Sequence, residues 1–275
     1  MKKVLALLIS LVLVLTCFAA CGSKTENSDP TNNTVGTKTV DSIKQAGKLV
    51  IATSPDFPPF EELTTENTVE GIEIDILNLI CDKLGVELVI EQMDFDSVLP
   101  GVQAGKCDVG VSGISITEKR QKNVLFTDPY CLAAQAIVVT SDSPIATKDD
   151  LTGKKISVQT GTTAETYCMG NGYDISAFQA NSDAQLALTT GKVDAWVIDD
   201  LTAAEMVAAY NAEHDDQLVI LDDPMTTEPY ALAFAFGSED LVAGVNEILN
   251  SLVADGTVAS IFEKYEAPYT SPLAE

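Results

Sequence analysis

The sequence predicts an α/β fold with two lobes, and three observations lead to that prediction. Short apolar runs alternate with stretches of helical periodicity from about residue 40 onward, which indicates strands alternating with helices. Segments 102–111 and 188–197 follow one plan, in which a helix ends on Gly-Lys and an apolar strand begins after an aspartate. Residues 40–269 are also long for one compact domain. Chance similarity between two αβ connections is the alternative to an internal repeat.

The individual elements follow from the same patterns. The first predicted strand, 49–52, is apolar and runs into prolines that end it. A helix is predicted over 75–84, where apolar residues lie at helical spacing and Gly85 ends the helix. The segment 241–265 supplies one or two terminal helices. Further strands are predicted at 86–90, 136–139, 156–158, 195–198 and 231–236.

The predicted path of the chain defines the domain boundaries. The chain leaves the first lobe near 131–135 and returns near 226–230, and two crossings make a hinge suited to closure on a ligand. The predicted ranges are 1–20 for a signal peptide, 21–39 for a tether, 40–132 plus 229–270 for lobe 1, 133–228 for lobe 2 and 271–275 for a C-terminal tail.

The N-terminus has the pattern of a secretory signal peptide. Lys2 and Lys3 precede an apolar run over 4–15, and small residues follow it. The run is too short for a spanning helix, although an uncleaved membrane anchor is the alternative. Residues 21–39 almost lack large apolar side chains and are rich in Ser, Thr and Asn. Such a composition predicts a flexible tether.

The end of this leader resembles a bacterial lipoprotein cleavage box. The motif is Phe18-Ala-Ala-Cys21-Gly-Ser, and the resemblance implies that Cys21 becomes the lipid-bearing N-terminus. Phe18 departs from the leucine that is commonest there, and Cys17 is the competing lipidation site. A lipid on the cysteine would hold the protein at the extracellular face of a membrane without a spanning helix.

The charge excludes some partners. The formal net charge is −25, whereas a nucleic-acid-binding protein needs a positive face for phosphates. Electrostatic docking to anionic lipid is disfavoured for the same reason. We interpret the acidity as a source of solubility.

Four cysteines lie beyond the leader, and they do not predict a metal site. Cys81, Cys107, Cys131 and Cys168 show no C-x-x-C spacing, and His214 is the single histidine in the sequence. We expect the cysteines to be mostly buried small side chains. Export would also permit one disulfide.

Six motifs follow one another along the chain. They are Ser54-Pro-Asp-Phe-Pro-Pro-Phe-Glu61, Gly71-Ile-Glu-Ile-Asp75, Ser112-Gly-Ile-Ser-Ile-Thr-Glu-Lys-Arg120, Phe126-Thr-Asp-Pro-Tyr130, Gln159-Thr-Gly-Thr-Thr163 and Val193-Asp-Ala-Trp-Val-Ile-Asp199. In this order they resemble the family 3 solute-binding proteins, which are the amino-acid receptors of ABC importers. The resemblance implies a type II periplasmic-binding-protein-like clamshell, in which two α/β lobes close around one L-amino acid.

Two charged residues are candidates for the ligand's α-carboxylate and α-ammonium groups. Arg120 follows an apolar strand, and its planar fork is suited to a carboxylate. By resemblance, Asp199 binds the ammonium group. As lone residues, Arg120 would be interpreted as a solvated charge and Asp199 as the N-cap of the next helix. Asp200 is able to take that capping role instead.

A Gly-Thr-Thr turn from the second lobe is a further candidate. Gly161, Thr162 and Thr163 follow a predicted strand and open a helix, where unpaired amides and hydroxyls are suited to an anion. If both lobes contact the carboxylate, lobe closure depends on the ligand.

The side-chain pocket is predicted by resemblance. Phe57 and Phe95 align with its walls, and Ser54, Asp56, Gln159 and Glu228 are candidate polar contacts. Cationic-amino-acid receptors of this family often carry an acid where Ser54 stands, so Ser54 disfavours arginine or lysine unless Asp56 or Glu228 compensates. The full expected ligand-binding set is Ser54, Asp56, Phe57, Phe95, Ser112, Gly113, Ser115, Arg120, Gln159, Gly161, Thr162, Thr163 and Asp199.

The resemblance therefore predicts the binding component of an ABC importer, specific for a polar or cationic L-amino acid. Its expected partners are the amino acid, the transmembrane subunits of the importer and the membrane through the lipid anchor. We expect a monomer with no cofactor, no metal and no catalytic residues. Two alternatives on the same fold stay open, a small-carboxylate dehydratase, which would need a general acid or base, and a free-standing sensory subunit.

Overall fold

The computed structural model describes residues 37–273. The predicted signal peptide, both candidate lipidation sites Cys17 and Cys21, most of the predicted tether and residues 274–275 lie outside the described residues. No helix in the described part combines the length and the apolar character needed to cross a membrane.

Strands alternate with helices along the described chain, which agrees with the predicted α/β class. The first elements are α1 (Val40–Ala46), β1 (Lys48–Thr53), β2 (Asp56–Phe57), β3 (Glu61–Leu63), β4 (Val69–Glu70), α2 (Ile72–Leu84), β5 (Glu87–Gln92), α3 (Phe95–Gln103), β6 (Val109–Gly110), α4 (Glu118–Gln121) and β7 (Leu125–Phe126). The middle elements are β8 (Cys131–Ala133), β9 (Gln135–Thr140), a 3-10 turn (Lys148–Leu151), β10 (Lys155–Gln159), α5 (Thr163–Gly170), β11 (Asp174–Phe178), α6 (Asn181–Thr189), β12 (Ala195–Asp199), α7 (Asp200–Glu213) and β13 (Leu218–Ile220). The last elements are β14 (Glu228–Tyr230), β15 (Ala233–Phe234), α8 (Glu239–Ala254) and α9 (Thr257–Lys264).

Two five-stranded sheets of the same design organise the fold. Their strand orders are β5-β1-β6-β15-β7 and β11-β10-β12-β9-β13. Each sheet has three parallel strands and then two strands joined by antiparallel pairing. We call α1–β7 with β15–α9 the first half and β9–β13 the second half. The shared strand order supports the related topology that the two similar segments predicted.

The two similar segments occupy equivalent places in the two sheets. Each helix, α3 or α6, is followed by a left-handed glycine, Gly105 with φ 70° or Gly191 with φ 68°. The aspartate then accepts a hydrogen bond from the backbone of the neighbouring parallel strand. Asp108 Oδ2 lies 2.9 Å from the Val50 nitrogen, and Asp194 Oδ2 lies 2.8 Å from the nitrogen of Lys155. The repeated aspartate therefore fixes the start of one strand against its neighbour.

A two-stranded ribbon connects the halves. Strands β8 and β14 pair antiparallel, with Cys131 opposite Tyr230. The chain passes from β7 to β9 through β8, and it returns from β13 to β15 through β14. The predicted crossings, 131–135 and 226–230, overlap these strands. The exact boundaries between the lobes, after residue 132 and after residue 228, stay a prediction.

Two predicted elements differ from the structure. Segment 231–236 contributes only the two-residue strand β15, because the backbone nitrogens of Ala231 and Leu232 donate to the Ile114 carbonyl and the Thr127 hydroxyl instead of to a strand. The helix predicted over 75–84 begins earlier, at Ile72, directly after Gly71. Segment 241–265 forms two helices, as one of the predicted options allowed.

The four cysteines of the described chain are buried free thiols. Burial raises the pKa of Cys81 to about 11 and that of Cys168 to about 12. Protonated thiols in such places pack as small apolar side chains.

Candidate functional site

A small cavity lies between the two halves, and every residue that lines it belongs to the predicted set. The first half supplies Phe57, Phe95, Ser112, Gly113, Ser115 and Arg120, and the second half supplies Gln159, Thr162, Thr163 and Asp199. The free space is about 20 Å³, which is enough for roughly one water molecule. An amino acid is much larger, so entry requires the halves to separate.

Arg120 extends from the first half to the backbone of the second. Its short helix, α4, begins after Thr117, whose hydroxyl accepts from the Arg120 nitrogen at 3.1 Å. The guanidinium donates to the Ser115 carbonyl at 3.0 Å and to the Gly161 carbonyl at 3.3 Å. It also lies 5.5 Å from the centre of the Phe95 ring. These contacts fix the plane of the guanidinium at the cavity.

The carboxylates of Asp199 and Glu228 lie near Arg120 and affect its pKa. Burial lowers its pKa, while the charges of Asp199 and Glu228 act in the opposite direction. It is also the only arginine in the sequence. A guanidinium stays protonated at any physiological pH even when its pKa is lowered, so the cavity contains a permanent cation.

Asp199 lies at the carboxyl end of β12, and only 7% of it is exposed. Its carboxylate accepts hydrogen bonds from the Gln135 amide and from the Tyr230 hydroxyl. Burial, followed by the negative charge of Glu228, raises the pKa of Asp199 to about 7. A cationic group placed beside this carboxylate would therefore be strongly favoured.

Asp199 and Asp200 divide the roles at the start of α7. Asp199 occupies the N-cap position, yet its side chain makes no capping hydrogen bond. Asp200 instead accepts from the Leu201 nitrogen at 2.8 Å and from the Ala134 nitrogen at 3.1 Å. Asp200 thus satisfies backbone donors at this helix end, and the carboxylate of Asp199 is available to the cavity.

The Gly-Thr-Thr turn is built as an N-terminal helix cap. The Thr162 hydroxyl accepts from the Glu165 nitrogen at 3.1 Å, and Gly161 donates its N–H to the Glu165 carboxylate at 2.7 Å. The Thr163 hydroxyl accepts from the Gln135 amide at 3.1 Å. Contrary to the expectation of unpaired amides, the N–H of Gly161 is already occupied by the neighbouring Glu165 side chain. Gly161 contributes its carbonyl to Arg120 and lies beside the cavity.

A buried carboxyl pair, Glu61 and Glu73, supports the turn at Ser112 and Gly113, and this pair was not predicted from the sequence. The Ser112 hydroxyl donates to Glu61 at 2.8 Å, and the Gly113 nitrogen donates to Glu73 at 2.8 Å. Burial and the charge of Glu73 raise the pKa of Glu61 well above its ordinary value. Burial and the nearby charge thus favour the protonated form of Glu61, whose Oε2 atom is buried without a hydrogen-bond partner among the described residues. A Cβ at Gly113 would lie 2.5 Å from the Phe57 ring.

Besides Gly161, two predicted site residues, Ser54 and Asp56, do not line the cavity. The Ser54 hydroxyl donates to Asp56 Oδ1 at 2.8 Å. The other Asp56 oxygen, Oδ2, accepts from the Gln159 amide at 3.0 Å and from the Asn181 nitrogen at 2.9 Å. Asp56 lines a different groove, which Tyr210 and His214 also line. The structure thus places the Asp56 carboxylate between the halves and not at the wall of the cavity.

A larger cleft continues from the cavity. It has a volume of about 620 Å³ and shares Phe95, Arg120, Thr162 and Thr163 with the cavity. Glu228 also lines it, with only 4% of the residue exposed. One Glu228 oxygen accepts from the Thr226 hydroxyl at 2.7 Å. Glu228 is therefore a buried acid at the wall of a space that is large enough for a side chain.

Tyr230 and Gln135 take part in the site without having been predicted to. Tyr230 lies in β14 of the connecting ribbon, and its hydroxyl donates to Asp199. Gln135 is fully buried at the start of β9 and contacts both Asp199 and Thr163. Neither residue stands in a motif. Gln135 lies opposite Asp199 in the pairing of β9 with β12, whereas Tyr230 lies in the β8/β14 ribbon.

Comparison with known proteins agrees with this arrangement. Residues 49–268 match the family described as bacterial extracellular solute-binding proteins, family 3. The L-cystine-binding protein TcyJ of Escherichia coli strain K12 is 28% identical over 227 residues, which are 81% of this chain and 84% of that protein. The histidine-binding periplasmic protein of Salmonella typhimurium strain LT2 is 28% identical over 228 residues, which are 79% of this chain and 87% of that protein.

Solved structures with the same fold include amino-acid-binding proteins. A truncated, arginine-bound form of ArgBP from T. maritima is 39% identical with a TM-score of 0.73, covering 77% of this chain and 99% of that one. An ancestral arginine-binding protein bound to glutamine is 37% identical with a TM-score of 0.75, covering 81% and 99%. AncCDT-1, an ancestral amino acid-binding protein and precursor of cyclohexadienyl dehydratase, is 32% identical with a TM-score of 0.75, covering 82% and 98%.

Proposed function

The chain belongs to the bacterial extracellular solute-binding proteins of family 3, and we propose that it captures a polar or cationic L-amino acid for an ABC importer by closing its two halves. One observation carries the proposal. The only arginine of the sequence, Arg120 from the first half, and the buried acid Asp199 from the second half line the same cavity. A free amino acid presents a carboxylate and an ammonium group close together, which is the charge pattern that these two residues complement.

In this pose Arg120 binds the α-carboxylate and Asp199 binds the α-ammonium group. The Thr163 hydroxyl adds a contact from the second half, and the Ser112–Ser115 turn adds contacts from the first half. The Thr162 hydroxyl lines the cavity but already donates its proton to the Gln159 backbone carbonyl at 2.7 Å. Phe57 and Phe95 form apolar walls. Each half holds only part of the ligand, so the ligand favours the closed arrangement over the open one.

Glu228 favours a cationic side chain. Once the ligand's α-groups pair with Arg120 and Asp199, the carboxylate of Glu228 stays buried at the wall of the 620 Å³ cleft. A buried carboxylate is costly unless a cation or enough donors satisfy it. Several relatives are named for binding histidine or arginine, and one solved relative holds glutamine. We therefore expect an amino acid such as arginine, lysine or histidine to bind more tightly than glutamine.

Calorimetric titration of the purified, refolded protein tests this function. L-arginine, L-lysine, L-histidine, L-glutamine and L-cystine are titrated separately into wild type and into the Glu228→Gln variant. We expect at least one cationic amino acid to bind, and Glu228→Gln to weaken cationic ligands while glutamine binding changes little. Equal losses for cationic and neutral ligands would remove Glu228 from the specificity pocket. No heat from any of them would contradict the proposed function.

The placement in the cell follows from family membership and from the leader sequence. Proteins of this family are extracellular or periplasmic, and we propose that this one is a monomer anchored by lipid on Cys21. Labelling of expressing cells with radioactive palmitate should mark wild type and Cys17→Ser but not Cys21→Ser. Label on Cys21→Ser would assign the lipid to another residue.

A dehydratase function has less support. The dehydratase precursor among the solved relatives is itself described as an amino acid-binding protein. The polar groups around the cavity are accounted for by contacts to an amino acid and to one another, and we propose a protein without catalytic activity.

A further inference from the structure

A hydrogen-bonded cluster joins the two halves next to the ligand cavity, and Gln159 is its one member that also lines the cavity. It contains Ser54 and Asp56 from the first half and Gln159 and Asn181 from the second. Asp56 Oδ2 accepts from the Gln159 amide at 3.0 Å and from the Asn181 backbone nitrogen at 2.9 Å. The Asn181 side chain donates to the Gln159 side-chain oxygen Oε1 at 3.1 Å and to the Asp56 backbone oxygen at 3.4 Å. Asn181 and Gln159 are 1% and 3% exposed, so water does not replace these bonds while the halves are together.

The cluster completes a helix that its own half leaves uncapped. Helix α6 begins at Asn181, and Ala180 at its N-cap position has no side-chain oxygen that can accept a hydrogen bond. The carboxylate of Asp56 supplies that acceptor from the other half. A negative charge at a helix N-terminus also interacts favourably with the helix dipole. When the halves separate, the first turn of α6 loses both the acceptor and the charge.

The position of Asp56 is held from within the first half. The Ser54 hydroxyl donates to the other carboxylate oxygen at 2.8 Å, and β2, which contains Asp56, pairs with β3. The carboxylate is thus oriented toward α6 before the halves meet. Such preorganisation reduces the entropy that the contact would otherwise cost.

We propose that Asp56 is a latch that holds the two halves closed through the N-terminus of α6, independently of the ligand, and that it acts as a positioning residue for Gln159. The inference rests on the proposed function for its effect on affinity, but the latch itself needs no ligand. In this proposal the Asp56 carboxylate serves lobe closure and does not recognise a cationic side chain of the ligand. A latch of this kind stabilises the closed arrangement that retains the ligand, so its loss lowers the apparent affinity.

Small-angle X-ray scattering on ligand-free protein tests the latch directly. The variants are Asp56→Ala, the isosteric Asp56→Asn, and Glu62→Gln as a matched control, which removes one exposed negative charge from β3 of the same hairpin. We expect a larger radius of gyration for both Asp56 variants than for wild type and for Glu62→Gln. Saturating ligand should return all four proteins to the same compact value. An unchanged radius for Asp56→Ala without ligand would overturn the latch.

The ligand panel distinguishes a latch from a ligand contact. Loss of hydrogen bonds to a charged acceptor should weaken binding of every amino acid by a similar factor, roughly ten- to hundredfold for Asp56→Ala. Stopped-flow measurements should show faster dissociation and no slower association, because the variants spend less time closed. A loss confined to cationic ligands would make Asp56 a side-chain contact and overturn the proposal. If wild type bound no amino acid, the proposed function would fail, and the scattering result would still decide the latch.

Discussion

At the scale of single residues, opposite charges at the cavity are held in different ways. Arg120 is held by two backbone carbonyls, one from each half, and its charge is permanent. Asp199 is held by neutral donors, the amide of Gln135 and the hydroxyl of Tyr230, and its charge depends on pH because its pKa is about 7. Only the anionic side of the site is therefore sensitive to pH in the physiological range.

The raised pKa of Asp199 predicts that ligand affinity falls as the pH is lowered. The α-ammonium group pairs with the ionised carboxylate of Asp199. Because the pKa of Asp199 is about 7, the carboxyl group is mostly protonated at lower pH and must lose this proton when the ligand binds. Affinity should therefore be constant well above pH 7 and fall by about tenfold for each pH unit well below it. Calorimetry at pH 5.5 to 8.5 measures the affinity, and titrations in buffers of different ionisation enthalpy measure the proton released on binding at acidic pH.

Asp199→Asn is the matched variant for this prediction, because it keeps the shape of the side chain and cannot ionise. It should bind weakly at every pH and lose the steep dependence between pH 5.5 and 7. A wild-type affinity that does not change over this range would show that Asp199 is not the partner of the ammonium group.

Some residues of the site were predictable from sequence motifs, and others were not. Arg120, Asp199 and the Gly-Thr-Thr turn were predicted because they stand in motifs at strand ends, where ligands of α/β proteins bind. Asp56 was expected at the ligand and instead contacts Asn181, because a sequence shows which residues follow a strand but not how the two halves meet. The partners of Asp199 were missed for the same reason, since Tyr230 reaches it from the hinge ribbon.

At the scale of elements, the repeated aspartate has the same contact in both sheets but different surroundings. Asp108 is 6% exposed and also pairs with Lys38 at 2.8 Å. Asp194 is exposed, so water can replace its bond to the Lys155 nitrogen. The same sequence pattern thus makes the same backbone hydrogen bond in both halves. The contribution of that hydrogen bond to the free energy of unfolding should nevertheless differ between the halves.

This difference predicts unequal losses of stability. Asp108→Ala leaves the half-buried Val50 nitrogen without its carboxylate partner, and we expect a loss of about 1.5–3 kcal/mol in the free energy of unfolding. Asp194→Ala should cost clearly less, because water solvates the Lys155 nitrogen. Urea unfolding of both variants measures the losses, with Asp108→Asn as the control that keeps an acceptor oxygen. A loss for Asp194→Ala equal to or above that for Asp108→Ala would refute the explanation by burial.

The long elements were the predictable ones. Strands β1, β9 and β12 and helix α2 carry enough apolar residues to show their period, and their predicted centres match the structure. The two-residue strands were not predictable, because two residues show no period. The segment 231–236 was predicted to be one strand because of its apolar composition. Its first two backbone nitrogens instead donate hydrogen bonds to residues in loops.

At the scale of the whole molecule, two sheets of one design and a β8/β14 ribbon give a protein that can open and close. The internal resemblance of 102–111 to 188–197 predicted the two related halves, and the strand orders agree with it. The cavity of about 20 Å³ between the halves is too small for an amino acid, so binding must pass through a more open arrangement. The closed arrangement is then stabilised both by the ligand, through Arg120 and Asp199, and by the Asp56 latch.

The central claim is that an amino acid bridges the halves through its carboxylate on Arg120. The most direct measurement is calorimetry of wild type, Arg120→Lys and Arg120→Ala with L-arginine and with agmatine, which is arginine without its α-carboxylate. If another amino acid binds best, the same comparison uses it and its decarboxylated amine. In Arg120→Ala two charged hydrogen bonds are lost, each worth about 1.5–3 kcal/mol, so binding of the amino acid should weaken by roughly 3–6 kcal/mol. Arg120→Lys should show a smaller loss.

We predict that wild type strongly prefers the amino acid to its decarboxylated amine and that Arg120→Ala, with unchanged circular dichroism, binds both equally weakly. The carboxylate and the guanidinium would then account for the same free energy of binding. A folded Arg120→Ala protein that still prefers the amino acid would contradict the account, because the carboxylate would be held elsewhere.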